Sequence, residues 1–230
     1  MKEFRQQAWD DDVRAAWQQL LALAVREDVD RVHDWTTVAL VPEGATGAAH
    51  VVAREPGVVA GLPAAEMVVA EYDRKVEWRA LVEDGTRVEA GTAIARLEGA
   101  ARSLLTSERV LLNVLGQLSG IATLTHRFVE AVAGTKARIY DTRKTTPGWR
   151  RLEKYAVRCG GGHNHRGGLY DAVLIKDNHL ALGASLGGER FTPAQAVVRA
   201  QEFLIGEMGE PLAATIMVEV EVDTLAQLAE

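Results

Sequence analysis

The stretch that decides the fold is residues 137–148, which read ARIYDTRKTTPG. Its first four residues, Ala137–Tyr140, are strand-like. Two later stretches, Ala172–Ile175 and Ile216–Val222, are strand-like as well, and a helical pattern over Thr192–Leu204 precedes the second of them. Strands that alternate with helices predict parallel β/α units, and the sequence therefore predicts an α/β fold.

The first half of the chain is predicted to mix helices with short strands. A long helix is predicted from Ser107 to about Ala133, with Gly134 as its C-terminal cap. Its apolar stripe consists of Val110, Leu111, Val114, Leu115 and Leu118. The other predicted elements are a helix over residues 3–24, strands over residues 36–41 and 50–53, a helix over residues 63–72, and short strands with tight turns over residues 76–97. We place the domain boundary near the helix at residues 107–120.

The composition is that of a globular protein. Of the 230 residues, 47% are hydrophobic and 25% are charged. No apolar run approaches the roughly 20 residues that span a bilayer, and the charged start of the chain lacks the apolar segment of a signal peptide. Cys159 is the only cysteine, which excludes an intrachain disulfide. These features lead us to expect a cytoplasmic protein.

The charge is unevenly distributed along the chain. The net charge of −6 argues against nonspecific nucleic-acid binding. Between Arg138 and His179, however, nine lysines and arginines face only four carboxylates, and nine minus four leaves +5. This local excess indicates a small polyanionic ligand, and a solvated basic face is the alternative.

Charged side chains follow each predicted barrel-type strand at its carboxyl end. Arg143 and Lys144 come after the first strand, Lys176 comes after the second, and Glu221 closes the third. Chemistry gathers at this end of parallel strands. An arginine beside a lysine offers a fork for a carboxylate and a point charge for a phosphate. The pair is therefore a candidate anion site, with a purely structural role as the alternative.

Glycines surround a second group of donors. Residues 160–169 read GGGHNHRGGL. Glycine lets the backbone approach a ligand closely, and His165 and Arg166 add donors at the same point. A zinc site formed by Cys159, His163 and His165 is an alternative, although no fourth ligand stands at a usual spacing.

Lys176 and Glu221 also have structural interpretations. Lys176 could pair with its neighbour Asp177 instead of holding a phosphate or carboxylate. Glu219 and Glu221 share one face of a predicted strand, and that face could simply be solvated.

Taken together and in this order, the motifs resemble the quinolinate phosphoribosyltransferase family. The similarity starts near Trp35 and is densest from Ser103 to His179. The stretches that carry it are residues 106–113 (TSERVLLN), 118–123 (LSGIAT), 141–148 (DTRKTTPG), 160–162 (GGG), 164–166 (NHR) and 175–179 (IKDNH). 

The resemblance implies a fold and a reaction. It implies an N-terminal α/β sandwich domain over residues 1–118 and an α/β barrel domain over residues 119–230 that is incomplete and lacks its later strands. It also implies a homodimer in which Arg109 is donated across the interface. The implied reaction converts quinolinate and phosphoribosyl pyrophosphate to nicotinate mononucleotide, pyrophosphate and CO2 in NAD biosynthesis, with Mg2+ as cofactor.

The resemblance further assigns roles to individual residues. The implied substrate-binding residues are Arg109, Thr142, Arg143, Lys144, His165, Arg166, Lys176 and Glu221. Among them, Lys144 on the phosphoribosyl donor, Lys176 and the ribose-side acid Glu221 are implied to be catalytic, and no residue is assigned as a metal ligand. Residues 181–214 form a longer connection than is usual in the family, so the choice of Glu221 over Glu219 depends on the alignment.

Two other functions remain open at this point. The family continues beyond the third barrel-type strand, so the chain is expected to be a fragment, to be completed from elsewhere, or to be catalytically incomplete. A molybdenum-transport-associated paralogue shares the fold and many motifs. A non-catalytic anion-binding or dimerisation module is the alternative from a different class.

Overall fold

The computed structural model describes residues 3–30, 32–183 and 188–229. The chain divides into two compact units. The larger unit is Gln6–His165, and the smaller one consists of residues 166–229 together with residues 3–5. Helices and strands occur in both, and the predicted α/β class is confirmed.

The larger unit combines helices with short antiparallel strands. Its elements are α1 (Asp11–Val29), α2 (Trp35–Leu40), β1 (Thr46–Val52), β2 (Gly57–Val58), α3 (Leu62–Tyr72), β3 (Glu77–Ala80), β4 (Arg87–Val88), β5 (Ala93–Ala100), α4 (Ala101–Ala131) and α5 (Arg150–Cys159). Strand β5 lies between β1 and β3, and both neighbours are antiparallel to it. Strands β2 and β4 form a separate antiparallel pair.

Helix α4 organises the core of the larger unit. It packs against α3, β2 and α5. The predicted apolar stripe is confirmed, since Val114 and Leu118 are almost completely buried. Removing such side chains from water is the main favourable contribution to folding. On the other side of the core Trp17 is 1% exposed, and its Nε1 donates to the carbonyl of Ala64 at 3.0 Å.

Two element predictions in the first half are wrong, for an identifiable reason. Residues 36–41 were expected to form a strand, but residues 36–40 belong to helix α2 and Val41 is its C-cap. The side chain of Asp34 caps this helix by accepting from the backbone N–H of Thr37 at 3.0 Å, and such a cap stabilises a first helical turn even where β-branched residues follow. Likewise, α1 begins at Asp11 rather than near residue 3, because Asp10 is its N-cap.

The half-buried carboxylate of Asp84 joins three parts of the larger unit. Helix α3 begins after Gly61, whose φ of +100° belongs to the left-handed region. Asp84 accepts from the backbone N–H groups of Gly61 and Leu62 at 2.8 and 3.0 Å, so it caps the helix from a distant turn. The same carboxylate accepts from the hydroxyl of Tyr155 on α5 at 2.6 Å. Asp84 therefore connects the turn between β3 and β4 to both α3 and α5.

The predicted strand at Ala137–Tyr140 is reduced to a single bridge. Tyr140 pairs with His163 in the parallel sense. The backbone N–H of His163 donates to the carbonyl of Ile139 at 2.8 Å, and that of Asp141 donates to the carbonyl of His163 at 3.0 Å. This short pairing is sufficient to set the two following loops side by side.

The smaller unit is built on one parallel strand pair. Its elements are β6 (Val173–Ile175), α6 (Asp177–Leu182), α7 (Pro193–Met208), α8 (Glu210–Ala213), β7 (Val218–Val220) and α9 (Leu225–Ala229). Ile175 pairs with Val220 in parallel register, and helices lie between the two strands in sequence. The predicted parallel β/α unit is therefore confirmed. Within the long connection over residues 181–214, residues 184–187 lie outside the described residues.

No helix in the described part of the chain is long and apolar enough to cross a membrane.

Candidate functional site

The two loops that carry the strongest motifs start at the same place in the larger unit. The parallel bridge between Tyr140 and His163 aligns the backbone just before each loop. Beyond the bridge, the carboxylate of Asp141 accepts from the backbone N–H of His165 at 2.8 Å. The structure therefore brings the Arg143–Lys144 loop and the His165 loop together, as two strand-end motifs of one site would require.

The Arg143–Lys144 loop presents two cations in different environments. The backbone N–H of Lys144 donates to the hydroxyl of Thr142 at 3.0 Å, which closes a tight turn, and Lys144 itself is exposed. Arg143 is half-buried, and its Nε is buried without a hydrogen-bond partner within the described part of the chain. A buried donor left unpaired is costly. An anion bound here would remove that cost.

The glycines of residues 160–162 pack against helices. A Cβ at Gly160 would lie 2.3 Å from the carbonyl oxygen of Ala122 and 2.8 Å from Cβ of Thr125, both on α4. A Cβ at Gly162 would lie 2.7 Å from the Thr125 side chain and 2.8 Å from that of Val157. The sequence interpretation that these glycines admit a ligand is therefore replaced by close packing of α4 and α5.

The zinc alternative has no support in the structure. Among the described residues, no group of three histidine, cysteine or acidic side chains is arranged to hold a metal. Burial, with the charge of Asp84 as a second cause, raises the pKa of Cys159 to about 12. The same two causes, together with the hydrogen bond to Asp84, raise the pKa of Tyr155. A metal ligand must be a thiolate, and this environment favours the neutral thiol.

Arg109 lies on a different element from the two loops. It is exposed on α4 and lines a cavity of about 230 Å³ together with Asn113 and the aromatic rings of Trp17 and Trp149. Asp28 lies on the same cavity wall. Within the larger unit, Arg109 thus lies on the exposed face of α4 rather than in the Arg143–Lys144 loop or the His165 loop.

In the smaller unit, the predicted residues lie at the carboxyl ends of the parallel pair. Lys176 follows β6 and Glu221 follows β7, and Lys176 Nζ lies 2.9 Å from Glu221 Oε1. The backbone N–H of Glu221 donates to the carbonyl of Ile175 at 2.9 Å, which extends the strand pairing to this residue. The ion pair of Lys176 is thus with Glu221, rather than with Asp177 as the structural interpretation suggested. Both charged groups remain about half exposed.

Arg166 is held close to the start of β6. It is 6% exposed, and its Nη1 donates to the carbonyl of Ala172 at 3.1 Å. Next to it, the backbone N–H of Gly167 donates to the carboxylate of Asp171 at 2.6 Å. These bonds give the residues before β6 a defined conformation.

Sequence reasoning missed three residues that organise the larger unit's loops. Lys154 was only one of the nine cations counted between Arg138 and His179, yet it is 3% exposed and forms a buried ion pair with Asp141. Asn164 is 1% exposed and donates to the other oxygen of Asp141 at 2.7 Å. Asp141 was noted only as the start of a motif. A signal was available, since the apolar positions of α5 flank Lys154 at Leu152 and Tyr155.

The models of two family domains together match the chain from residue 34 onward. The N-terminal domain of quinolinate phosphoribosyl transferase matches residues 34–119, and the C-terminal domain matches residues 121–230. The compact units divide instead between residues 165 and 166. The boundary between residues 118 and 119 stays a prediction.

The chain is similar to both curated and structurally characterised proteins. It is 47% identical over 207 residues to the nicotinate-nucleotide pyrophosphorylase [carboxylating] of Mycobacterium leprae, covering 89% of this chain and 67% of the relative. It is 39% identical over 213 residues to a mitochondrial quinolinate phosphoribosyltransferase [decarboxylating] of Nicotiana tabacum, covering 92% of this chain and 56% of the relative. The solved nicotinate-nucleotide pyrophosphorylase of Francisella tularensis superposes with a TM-score of 0.83 at 35% identity, covering 99% of this chain and 73% of that one.

These relatives are longer than the chain, which spans little more than half of the tobacco protein. The identity nevertheless extends across both family domains, and the fold similarity covers almost every residue. The chain therefore belongs to the quinolinate phosphoribosyltransferase family.

Proposed function

We propose that the protein transfers the phosphoribosyl group of phosphoribosyl pyrophosphate to quinolinate, with loss of CO2, to give nicotinate mononucleotide. The observation that carries this proposal is the half-buried guanidinium of Arg143, whose Nε has no hydrogen-bond partner among the described residues. It stands beside the exposed cation of Lys144 and the loop of His165. Family membership and the names of the relatives support the same reaction.

The charges of the larger unit's loops fit a dicarboxylate substrate. A guanidinium presents paired donors that match a carboxylate, and each charge-assisted hydrogen bond contributes about 1.5–3 kcal/mol. His165 supplies a further donor for the second carboxylate of quinolinate, and we propose Arg166, which follows it in sequence and belongs to the smaller unit, as another. In this proposal Arg143 and Thr142 bind the acceptor, and Lys144 binds a phosphate of the sugar donor.

The ion pair of the smaller unit fits the ribose side of the reaction. Lys176 and Glu221 are both about half exposed, and an ion pair between exposed groups contributes only about 0–1 kcal/mol. Such a weak pair can open at little cost. We propose that Lys176 then contacts the anionic substrate and that Glu221 binds ribose hydroxyls. The carboxylate of Glu221 would also offset positive charge developing at the anomeric carbon.

The chemical step follows from the substrates. The pyridine nitrogen of quinolinate forms a bond to the anomeric carbon, while the bond to pyrophosphate breaks and the leaving group takes its electron pair. The ring nitrogen is now positive. When the adjacent carboxylate leaves as CO2, the electron pair stays on the ring carbon beside that nitrogen, and this carbon then accepts a proton. The protein contributes mainly positioning and electrostatics.

We propose that Mg2+ enters the site with the phosphates of the sugar donor. The described residues offer no cluster of three metal-binding side chains, but Mg2+ usually combines one or two carboxylates with substrate phosphates and water. Glu221 is the candidate carboxylate. When bound, the ion neutralises charge on the departing pyrophosphate.

We also propose a homodimer in which Arg109 is donated to the neighbouring active site. Its exposure on α4, beside a cavity with an aromatic wall, supports this arrangement. When Arg109→Ala subunits are mixed in equal amounts with Arg143→Ala subunits, about half of the dimers should be mixed, and one of the two sites in each mixed dimer is intact. The mixture should therefore recover about a quarter of wild-type activity. Either variant exchanged with itself is the control. Failure to recover activity in demonstrably mixed dimers would exclude a shared site.

A cytoplasmic location is proposed as well, since it keeps the single cysteine reduced.

The pocket assignment is tested by Arg143→Ala. Losing one charge-assisted bond should raise the KM for quinolinate about 10- to 150-fold, with a smaller change for phosphoribosyl pyrophosphate. Arg151→Ala is the matched control, because Arg151 pairs with the surface carboxylate of Asp12 at 3.0 Å. Full activity of Arg143→Ala at low quinolinate would contradict the assignment. If the wild-type protein binds both substrates without turnover, an anion-binding module is favoured. If it binds neither substrate, the molybdenum-transport-associated paralogue is favoured.

A further inference from the structure

Asn164 joins the first residues of the larger unit to the site loops. The side chain of Gln6 makes two hydrogen bonds to the backbone of Asn164. Gln6 Oε1 accepts from the Asn164 N–H at 2.8 Å, and Gln6 Nε2 donates to the Asn164 carbonyl at 3.2 Å. The backbone N–H of Gln7 donates to Asn164 Oδ1 at 2.6 Å. Asn164 Nδ2 donates to Asp141 and to the carbonyl of Lys154. Each polar group of this buried residue is thus engaged.

The residue after Asn164 is held on both sides of its backbone. The N–H of His165 donates to Asp141 Oδ1 at 2.8 Å, and the carbonyl of His165 accepts from Lys154 Nζ at 3.0 Å. Lys154 and Asp141 are themselves ion-paired in the interior. We call Asp141, Lys154 and Asn164 the Asp141 cluster. It ties the backbone of His165 to the start of the Arg143–Lys144 loop.

The cluster is poorly explained by stability alone. Lys154 and Asp141 are 3% and 8% exposed at their side chains. Desolvation of two buried charges offsets most of their attraction, so a well-packed apolar pair is often equally stable. A buried pair that also binds both the N–H and the carbonyl of one residue, His165, is instead suited to setting a geometry. The positions of substrate-binding groups matter strongly, since a displacement of about 1 Å can lower a rate about 100-fold.

The chain's first described segment supports the cluster from outside. The ring of Trp9 packs edge-on against Tyr155 with centroids 5.4 Å apart. Asp10 is the N-cap of α1, because its carboxylate accepts from the backbone N–H of Val13 at 3.0 Å, and the Gln7 side chain adds only a longer bond to it at 3.3 Å. Trp9 and Asp10 therefore anchor this segment to α5 and α1, and Gln6 is presented to Asn164 from a fixed position.

We propose that Gln6, Asn164 and Lys154 are positioning residues that set the spacing between the Arg143–Lys144 loop and His165. They act through Asp141 and the backbone of His165, and they do not touch the substrate. The inference rests on the proposed function, since the two loops are assigned to quinolinate binding. Loosening this arrangement should weaken quinolinate binding specifically, with little change in the fraction of folded protein.

Gln6→Ala is the direct test, and Gln7→Ala is its matched control. Both remove a glutamine side chain from neighbouring positions, but the bond from Gln7 to Asn164 uses the backbone and survives the substitution. Gln6→Ala should raise the KM for quinolinate about 3- to 10-fold and leave the KM for phosphoribosyl pyrophosphate unchanged. Gln7→Ala should change neither constant. A purely structural role would lower the amount of active enzyme, and hence kcat, without moving either KM.

A second readout does not depend on activity. Hydrogen exchange at the amide of His165 should be faster in Gln6→Ala than in wild type, and unchanged in Gln7→Ala. If wild type shows no turnover but exchange still responds in this way, the proposed function fails while the positioning role stands. Unchanged exchange and unchanged KM for quinolinate in Gln6→Ala would overturn the inference, as would equal effects of the two variants.

Discussion

Substitution of Asp84 should destabilise the larger unit by disconnecting α3 from α5. In Asp84→Ala, the N–H groups of Gly61 and Leu62 lose their cap, which costs about 1 kcal/mol. The hydroxyl of Tyr155, a residue 9% exposed, is left without its acceptor at a further cost of about 1–3 kcal/mol. The free energy of unfolding should therefore fall by about 2–4 kcal/mol.

Tyr155→Phe provides the comparison for this prediction. It removes the same hydrogen bond but leaves the two backbone donors of Asp84 in place, so the expected cost is only about 1 kcal/mol. In the double variant the two costs should not add, because both substitutions remove one shared interaction. Urea unfolding of the four proteins gives these differences. A loss below about 0.5 kcal/mol in Asp84→Ala, or full additivity, would refute the role assigned to Asp84.

Three further predictions concern single residues. Since burial and the charge of Asp84 raise the pKa of Cys159 to about 12, the native thiol should react with iodoacetamide at pH 8 far more slowly than after unfolding, as followed by mass spectrometry; equal rates would contradict this. Gly160→Ala should lower the free energy of unfolding by more than about 1 kcal/mol, because its Cβ meets the backbone of α4 at 2.3 Å; an unchanged urea midpoint would argue against that contact. Hydrogen bonds from Thr37 lower the pKa of Asp34, so Asp34→Ala should cost about 0.5–2 kcal/mol at pH 7. That cost should shrink below about pH 4 as the wild-type carboxylate is protonated. Thermal unfolding of wild type and Asp34→Ala between about pH 7 and pH 3 measures it, and a stability difference that does not change with pH would contradict the prediction.

The parts of the fold that follow local patterns could be predicted from the sequence. The apolar stripe of α4 repeats at helical spacing, and its burial is confirmed at Leu118 and its neighbours. The prediction failed at residues 36–41, where β-branched residues suggested a strand. One side-chain bond from Asp34 starts a helix there instead. The local preference of such residues is weak enough for a single cap to decide the outcome.

The long-range hydrogen bonds and the buried ion pair that hold the loops of the candidate site could not be predicted in the same way. The strand-end motif identified Arg143 and Lys144, and the pairing of Lys176 with Glu221 follows from the parallel register of β6 and β7. By contrast, the bond from Gln6 to Asn164 joins residues separated by 158 positions. A periodic sequence pattern does not predict a hydrogen bond between residues so far apart in the chain. The sequence also does not distinguish a buried lysine from an exposed one, so the role of Lys154 emerges only from the tertiary structure.

The most direct test of the central claim is the carbon balance of the reaction. Purified protein would be given phosphoribosyl pyrophosphate, Mg2+ and quinolinate labelled with ¹³C at the carboxylate beside the ring nitrogen, with nicotinic acid as the control acceptor. We expect one labelled CO2 for each nicotinate mononucleotide formed from quinolinate, and no nucleotide from nicotinic acid. Nucleotide formed from nicotinic acid, or bound quinolinate that releases no labelled CO2, would contradict a decarboxylating phosphoribosyl transfer.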